Sequence, residues 1–356
     1  MTSEVTHGAP PEPSWGIAAL VDEPLPLLQA FVGHHLHEGA AEIRLFPDRD
    51  DPALEAAMAA EPRVRVLRHD ARNLWRMRRR PESLNGRQRQ VAARAFAESG
   101  ADWMLFCDAD EFVTDGASLT RDLARVPDGV DAMRLPVRER VFAGPVPGTH
   151  IFEGDFRTPL AGKVDPSKIY GDMARYLNRG VIGHAIGKTL YRRGADVDIG
   201  IHNGRYPEAR GGGPLDSAVA DEAALLHFDG LTALNWAIKL RRKTILAGTG
   251  KAPKGRRHPG RLAQIEHVQG GTMESCLDLF EALATLPDAL AERLERRGVL
   301  SRRSFDPRAQ VAALWPDLDV EAAFDPEAYD ALLRARYADT FTGQGGRHGG
   351  SAAGPA

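Results

Sequence analysis

The segment Asp102-Trp103-Met104-Leu105-Phe106-Cys107-Asp108-Ala109-Asp110-Glu111-Phe112-Val113 decides the reading of this chain. An apolar run of strand length stops at Asp108, Asp110 and Glu111. Such runs are buried, and a buried carboxylate is costly unless a cation or hydrogen-bond donors meet it. Asp108 and Asp110 are two residues apart, so a continuing strand would turn both side chains to one face.

The sequence before this segment alternates strand and helix signals. WGIAALV (15–21) reads as a buried strand, and residues 24–39 as a helix that opens on Pro24 and stops at Gly39. A second strand follows at 42–46, a short helix at 51–61, a third strand at 64–68 and a longer helix at 83–100; the quoted run supplies the fourth strand. This order predicts an α/β fold with a mostly parallel sheet flanked by helices. Ligands bind such sheets outside the carboxyl ends of the strands, which is where Asp108, Asp110 and Glu111 fall. Hard divalent cations such as Mn2+ and Mg2+ take carboxylate oxygens and usually bind substrate phosphates as well. A strand that delivers D-x-D to a ligand edge is therefore a candidate metal and phosphate platform; the plainer reading is a solvated turn.

Residues 130–230 read as short strands joined by long loops, with β-like runs at 132–140, 188–193, 196–202 and 224–229. From 231 onward the pattern turns helical, at 231–248, 260–296 and 321–336. The expected organisation is a polar, Pro-rich disordered N-terminus (1–14), an α/β domain (15–250), a helical C-terminal extension (251–340) and a Gly-rich disordered tail (341–356).

The bulk composition fits a soluble protein. Of 356 residues, 43% are hydrophobic and 27% charged, enough for a sizeable core with a solvated surface. A formal net charge of -3 argues against global attraction to nucleic acid. The 2 cysteines, Cys107 and Cys276, give neither a disulfide framework nor zinc spacing, which fits a reducing cytoplasm. No run approaches the roughly 20 apolar residues of a membrane span, so membrane contact is expected to be peripheral at most, at the inner face.

DWMLFCDADEFV resembles the D-x-D segment of family 2-like glycosyltransferases, in the branch whose signature reads "adW-l-Dx-DEF". Other pieces resemble that family in the same order: residues 15–52, RQRQVAARAFAESGADW (87–103), GHAIGKTLYR (183–192), IHNGRYP (201–207) and LLHFDGLTALNWAIKLRRK (225–243). The resemblance spans about 15–250. It implies a GT-A fold, a metal (Mn2+ or Mg2+), a nucleotide-sugar donor, a carbohydrate or lipid-linked acceptor, and inversion at the anomeric carbon. Asp108 would lie near the ribose and the metal, Asp110 would ligate the metal, and Glu111 would bind metal-bound water or orient the loop. The family usually shows an acid pair, Ser and a further Asp after its second strand; this chain has Phe46-Pro47-Asp48-Arg49-Asp50-Asp51.

Several other residues are candidates. Asp22 and Glu23 follow the first strand, suited to a ribose or base, or to helix capping. Gln88 is the polar residue that the resemblance places near the donor. The arginines at 76, 78, 79 and 80, with Arg87 and Arg89, are candidates for phosphate or a charged loop. Gly183-His184-Ala185-Ile186-Gly187-Lys188 is one residue short of a P-loop, but Lys188 is still a candidate for neutralising phosphate. His227 is the first choice for a further metal ligand and His202 the alternative. His34, His35 and His37 do not share one helix face, so they read as a helix end packed on the sheet. Lys239, Arg241, Arg242 and Lys243 read as a solvated face with a chance of meeting phosphate. The catalytic base stays open among Asp155, Asp172, Asp198 and Asp229. Two rival readings remain. A haloacid dehalogenase-like phosphatase would carry its D-x-D nearer the N-terminus, with Thr or Val where Phe112 stands. The other is a non-catalytic nucleotide- or glycan-binding protein.

Overall fold

A computed structural model of the chain describes residues 12–68, 81–144, 148–247 and 258–338. The arginines at 76–80, the expected boundary at 250, most of the N-terminal segment and the tail lie outside the described residues.

In chain order the elements are β1 (Trp15–Val21), α1 (Leu25–His37), β2 (Glu42–Pro47), α2 (Pro52–Met58), β3 (Val64–Val66), α3 (Leu84–Glu98), β4 (Trp103–Phe106), β5 (Glu111–Val113), α4 (Gly116–Ala124), β6 (Ala132–Leu135), β7 (Val137–Ala143), β8 (Asp155–Arg157), α5 (Ser167–Tyr170), β9 (Lys188–Arg192), β10 (Ala218–Val219) and β11 (Leu225–His227). Then come α6 (Ala233–Ala247), α7 (Pro259–Gly270), α8 (Met273–Ala284), β12 (Thr285–Leu286), α9 (Asp288–Glu295), β13 (Leu300–Ser301), α10 (Arg308–Leu314), α11 (Val320–Ala323) and α12 (Pro326–Arg336). They form two compact units. The first holds the described residues through Asp22, Phe31–Pro136 and Ile186–Leu225; the second holds Glu23–Ala30, Val137–Ala185 and the described residues from Leu226.

The first unit is built on a sheet of order β10-β6-β9-β4-β1-β2-β3. β3, β2, β1 and β4 are mutually parallel, whereas β9 runs antiparallel to both β4 and β6. The central strands β1 and β4 are buried along their whole length, which explains why they read as continuous apolar runs rather than alternating ones. α3 lays Val91, Ala92 and Ala95 on Ala18, Leu20, Phe46, Met104 and Phe106. Side chains cap the helices as their sequences suggest. Asp51 accepts the Leu54 N–H at 3.1 Å before Pro52, and Ser83 accepts the Gly86 N–H at 3.1 Å. The expected mostly parallel, helix-flanked sheet is present.

The second unit carries a sheet of order β13-β8-β7-β11, with β12 pairing β7. The helices expected from 231 onward are there, with the short strands β12 and β13 between them. Trp236, Leu240, Cys276, Leu279, Phe280 and Leu283 pack with Val141 in its core.

Two strand readings need correction. The run 132–140 is not one strand: Pro136 has no N–H to give a ladder, and it separates β6 of the first unit from β7 of the second. Residues 196–202 do not form a strand. Asp198 makes only an isolated bridge with Arg205, and Val197, Ile199 and Ile201 stay half-buried. An alternating pattern does not make a strand where no neighbouring strand extends alongside it.

Candidate active site at the carboxyl edge of the first sheet

β1, β2 and β3 step outward in one direction, and β4 then returns to the other side of β1. The strand order reverses between β1 and β4, and ligands of open α/β sheets bind at such a reversal, outside the carboxyl ends. Asp22 follows the last residue of β1, and Asp108 stands two residues past the end of β4. The fold thus places two of the expected acids at the edge where chemistry is expected.

Asp108 is held on both oxygens. Oδ1 accepts from Gln88 Nε2 at 2.8 Å and Oδ2 from Lys188 Nζ at 2.7 Å. Glu111 closes the turn: its Oε2 accepts the Asp108 N–H at 2.9 Å and lies 3.1 Å from Lys188 Nζ. Lys188 and Glu111 are fully buried, while the Asp108 side chain keeps 35% of its surface exposed. Sheet register brings Lys188 here. Leu105 pairs with Leu190 in the antiparallel β4–β9 ladder, so Lys188, two residues earlier on β9, reaches the carboxyl end of β4. Gly187 before it has φ +84°, and a Cβ there would come within 1.9 Å of the Leu135 carbonyl oxygen.

The electrostatics follow from this geometry. Burial pushes the Asp108 carboxyl up, but the Lys188 ammonium outweighs it and leaves Asp108 below the ordinary carboxylate range. Burial pulls Lys188 down, yet the Asp108 and Glu111 carboxylates raise it above the ordinary lysine range. Asp108 and Lys188 are therefore both charged at neutral pH. Burial, and then the Glu111 charge, push the neighbouring Cys107 thiol well up, making it an inert core residue.

The remaining acids of this edge also have definite places. Asp110 is buried in the same turn. Asp22 takes a bidentate contact from Arg49, at 2.5 and 2.9 Å. Asp48 takes the same kind of contact from Arg87, at 2.7 and 2.9 Å. Asp51 is a helix cap and Asp50 is exposed. Glu23 is half-buried just before α1. His202 sits close enough to lower the Asp108 carboxyl, with its Nδ1 2.9 Å from the Gly187 carbonyl oxygen.

In the second unit, His227 lies between two carboxylates, with Nδ1 3.7 Å from Glu139 Oε2 and Nε2 3.9 Å from Asp229 Oδ1. The His184 ring centroid is 4.9 Å from that of His227. Glu139 accepts the N–H groups of Ile182 and Gly183 and pairs with the fully buried Arg157 at 3.1 Å. Burial pushes Asp229 up, but Arg261 at 2.9 Å and the Lys239 ammonium outweigh it and hold Asp229 far below the ordinary range. A carboxylate stabilised this strongly is a poor proton acceptor. Asp155 pairs with Arg302 at 3.2 Å, Asp172 is exposed on a 3-10 helix, and Asp198 is exposed in its loop.

The sequence reading missed Lys188 as the partner of Asp108 and Glu111. The available signal was a lysine opening an otherwise apolar strand, since a lysine is almost never fully buried unless it is paired. Carboxylate oxygens are suitable donors for Mn2+ or Mg2+. Each Asp108 oxygen accepts one of these hydrogen bonds and has capacity for another, and the side chain faces solvent.

No protein-family model matches the sequence, and the search of curated proteins returns no match. Solved structures give distant likenesses. S. aureus TarS is 13% identical, with 94% of this chain and 93% of that chain covered at a TM-score of 0.32. A mannosyltransferase from Pyrobaculum calidifontis, solved with GDP-Man and Mn2+, is 12% identical, with 94% and 88% covered at 0.33. GalNAc-T7, solved with UDP, GalNAc and Mn2+, is 12% identical, with 80% and 57% covered at 0.34. The chain spans only 54% of a matched mycobacterial protein and 65% of a matched nucleotidyl transferase from Methanothermobacter thermautotroptrophicus. Likenesses this distant decide nothing about this chain's chemistry. Among the described residues, no helix is long and apolar enough to cross a membrane.

Proposed function

We propose that the protein is a metal-dependent glycosyltransferase that moves a sugar from a nucleotide-sugar to an acceptor hydroxyl with inversion. The observation that carries this reading is the placement of Asp22 and Asp108 at the carboxyl ends of β1 and β4, where the strand order reverses, with Asp110 and Glu111 in the turn that follows. The sequence resemblance of 102–113 points the same way.

The roles follow from the contacts. Gln88 and Lys188 fix the Asp108 carboxylate and keep it ionised; Glu111 holds the turn by its bond to the Asp108 N–H. Asp22, oriented by Arg49, is placed to accept from a ribose or base. Mn2+ or Mg2+ would be held by Asp108 and Asp110, with His202 of the same unit as the imidazole ligand. When bound, the metal offsets charge building on the leaving diphosphate. A carboxylate removes the acceptor proton. Asp155, Asp172 and Asp198 stay open for that task, and the suppressed basicity of Asp229 sets it behind them.

The test is a thermal-shift screen of UDP-, GDP-, CMP- and dTDP-sugars with Mn2+. A ligand at 100 times its Kd stabilises the fold by about 2.7 kcal/mol, a readily measured rise in melting temperature. No shift with any of them would overturn the donor assignment. Turnover of a phosphate ester without a sugar nucleotide would move the protein to the phosphatase reading.

A further inference from the structure

The histidine run at the end of α1 has contacts that plain packing does not require. His34 and His35 are buried, and His37 is exposed. Both buried rings bond the backbone of a single residue, Val113. The Val113 carbonyl lies 2.7 Å from His34 Nε2, and the Val113 N–H donates to His35 Nε2 at 3.2 Å. His35 Nδ1 is 2.8 Å from the Phe31 carbonyl oxygen. These partners fix the tautomers: His34 carries its proton on Nε2, whereas His35 carries it on Nδ1 and accepts with a bare Nε2. The Phe112 ring stacks on His35, with centroids 5.8 Å apart and planes within 5°.

The same helix end grips the chain again three residues on. The Gly116 N–H donates to Glu38 Oε2 at 2.7 Å. A Cβ at Gly116 would come within 1.6 Å of the Glu38 carbonyl oxygen, so only glycine allows this approach. The stretch Val113–Gly116 is thus fastened at one end to α1 and at the other to Glu38, the residue that follows it. Glu111, whose carboxylate meets the Asp108 N–H and Lys188, lies two residues before the first fastening.

We propose that His34 and His35 are positioning residues for the D-x-D turn: by holding both backbone groups of Val113 they set β5 so that Glu111 closes on Asp108 and Lys188. The inference rests on the proposed function only where it concerns metal binding; the geometry of the turn is tested without metal.

The experiment compares His35→Leu, His35→Gln and Leu123→Ala. Leucine fills space but cannot accept the Val113 N–H; the glutamine side-chain oxygen can. Leu123 is a buried residue on α4, and its alanine variant controls for general loss of stability. The metal-free readout is the Lys188 ammonium signal in proton–nitrogen NMR, assigned by its loss in Lys188→Met; it is visible while the group is held in its buried ion pair. The expected result is loss of that signal in His35→Leu, with retention in His35→Gln and Leu123→Ala. With Mn2+ alone as the probe, His35→Leu should bind roughly 10-fold or more weakly, the usual range for a lost supporting contact, with recovery in His35→Gln. A Lys188 signal that persists in His35→Leu, or vanishes equally in Leu123→Ala, overturns the proposal. A wild-type protein that shows the NMR pattern but binds no Mn2+ refutes the metal reading alone.

Discussion

Two buried ion pairs invite comparison, Lys188 with Asp108 and Glu111 in the first unit and Arg157 with Glu139 in the second. Both cations are fully buried. The carboxylates differ. Glu139 keeps 1% of its side-chain surface and spends its oxygens on Arg157 and on two backbone N–H groups, with His227 alongside. Asp108 keeps 35% and faces solvent. A buried pair by itself is weak evidence of anything beyond a fixed arrangement. An acid held rigid from behind and open in front is placed to meet a ligand. The first pair presents a carboxylate, and the second steadies the surroundings of an imidazole.

The strongest way to break this contrast is Asp110→Ala. Metal-dependent transfer should be abolished while the melting temperature stays near that of the wild type; unchanged turnover would remove Asp110 from the metal. Next in size are Lys188→Met and Arg157→Met. Each strands a buried carboxylate without its cation, at a cost of about 3–5 kcal/mol in urea unfolding. Lys188→Met should cost more, because it leaves two carboxylates without their cation, the fully buried Glu111 among them, whereas Glu139 keeps two backbone N–H donors. The reverse order would erase the distinction between the pairs. Smaller again, His202→Ala should weaken Mn2+ binding roughly 10-fold, since the Gly187 carbonyl at its Nδ1 is the usual kind of support for a ligating imidazole. Titration calorimetry giving an unchanged affinity would remove His202 from the metal.

The smallest effect is a dependence on pH. Burial, and then His34, lower the His35 pKa well below the ordinary histidine value, outweighing the Phe31 carbonyl and Glu111. The unfolded chain therefore takes up a proton below about pH 6.5 that the native protein refuses. Stability supplied by neutral His35 is present above that pH and falls as pH drops toward the native value, by up to about 1.4 kcal/mol per pH unit. His35→Gln should flatten this slope in urea titrations between pH 5 and 7, both values being about the range where histidine changes charge. An identical slope in the variant would exclude His35 as its source.

Much of the first sheet was legible because its central strands are short, wholly apolar and punctuated by Gly, Pro and capping residues. Asp108 could be placed at a ligand edge from strand order alone. The misreadings share one cause. Lys188 meets Asp108 across 80 residues, and no local pattern announces a partner that far away. Residues 196–202 alternate like a strand but have no extended neighbour. Pro136 was visible in the sequence, yet its effect depends on β6 and β7 joining different sheets. Asp48, Arg49 and Asp51 could not be told apart by type; their ties to Arg87, Asp22 and the α2 N-terminus separate them.

The distance along the chain between Asp108 and Lys188 also sets an order of events during synthesis. At about 5–20 residues per second, roughly 4–16 seconds pass between the emergence of the acids and that of their lysine. During that interval the nascent first sheet has β1 to β4 in hand, but Asp108 and Glu111 lack the charge that lets them be buried. The carboxyl edge therefore stays hydrated until β9 arrives. A ribosome stalled between these positions should display a chain whose β4 edge is still open to protease, and release past β9 should protect it.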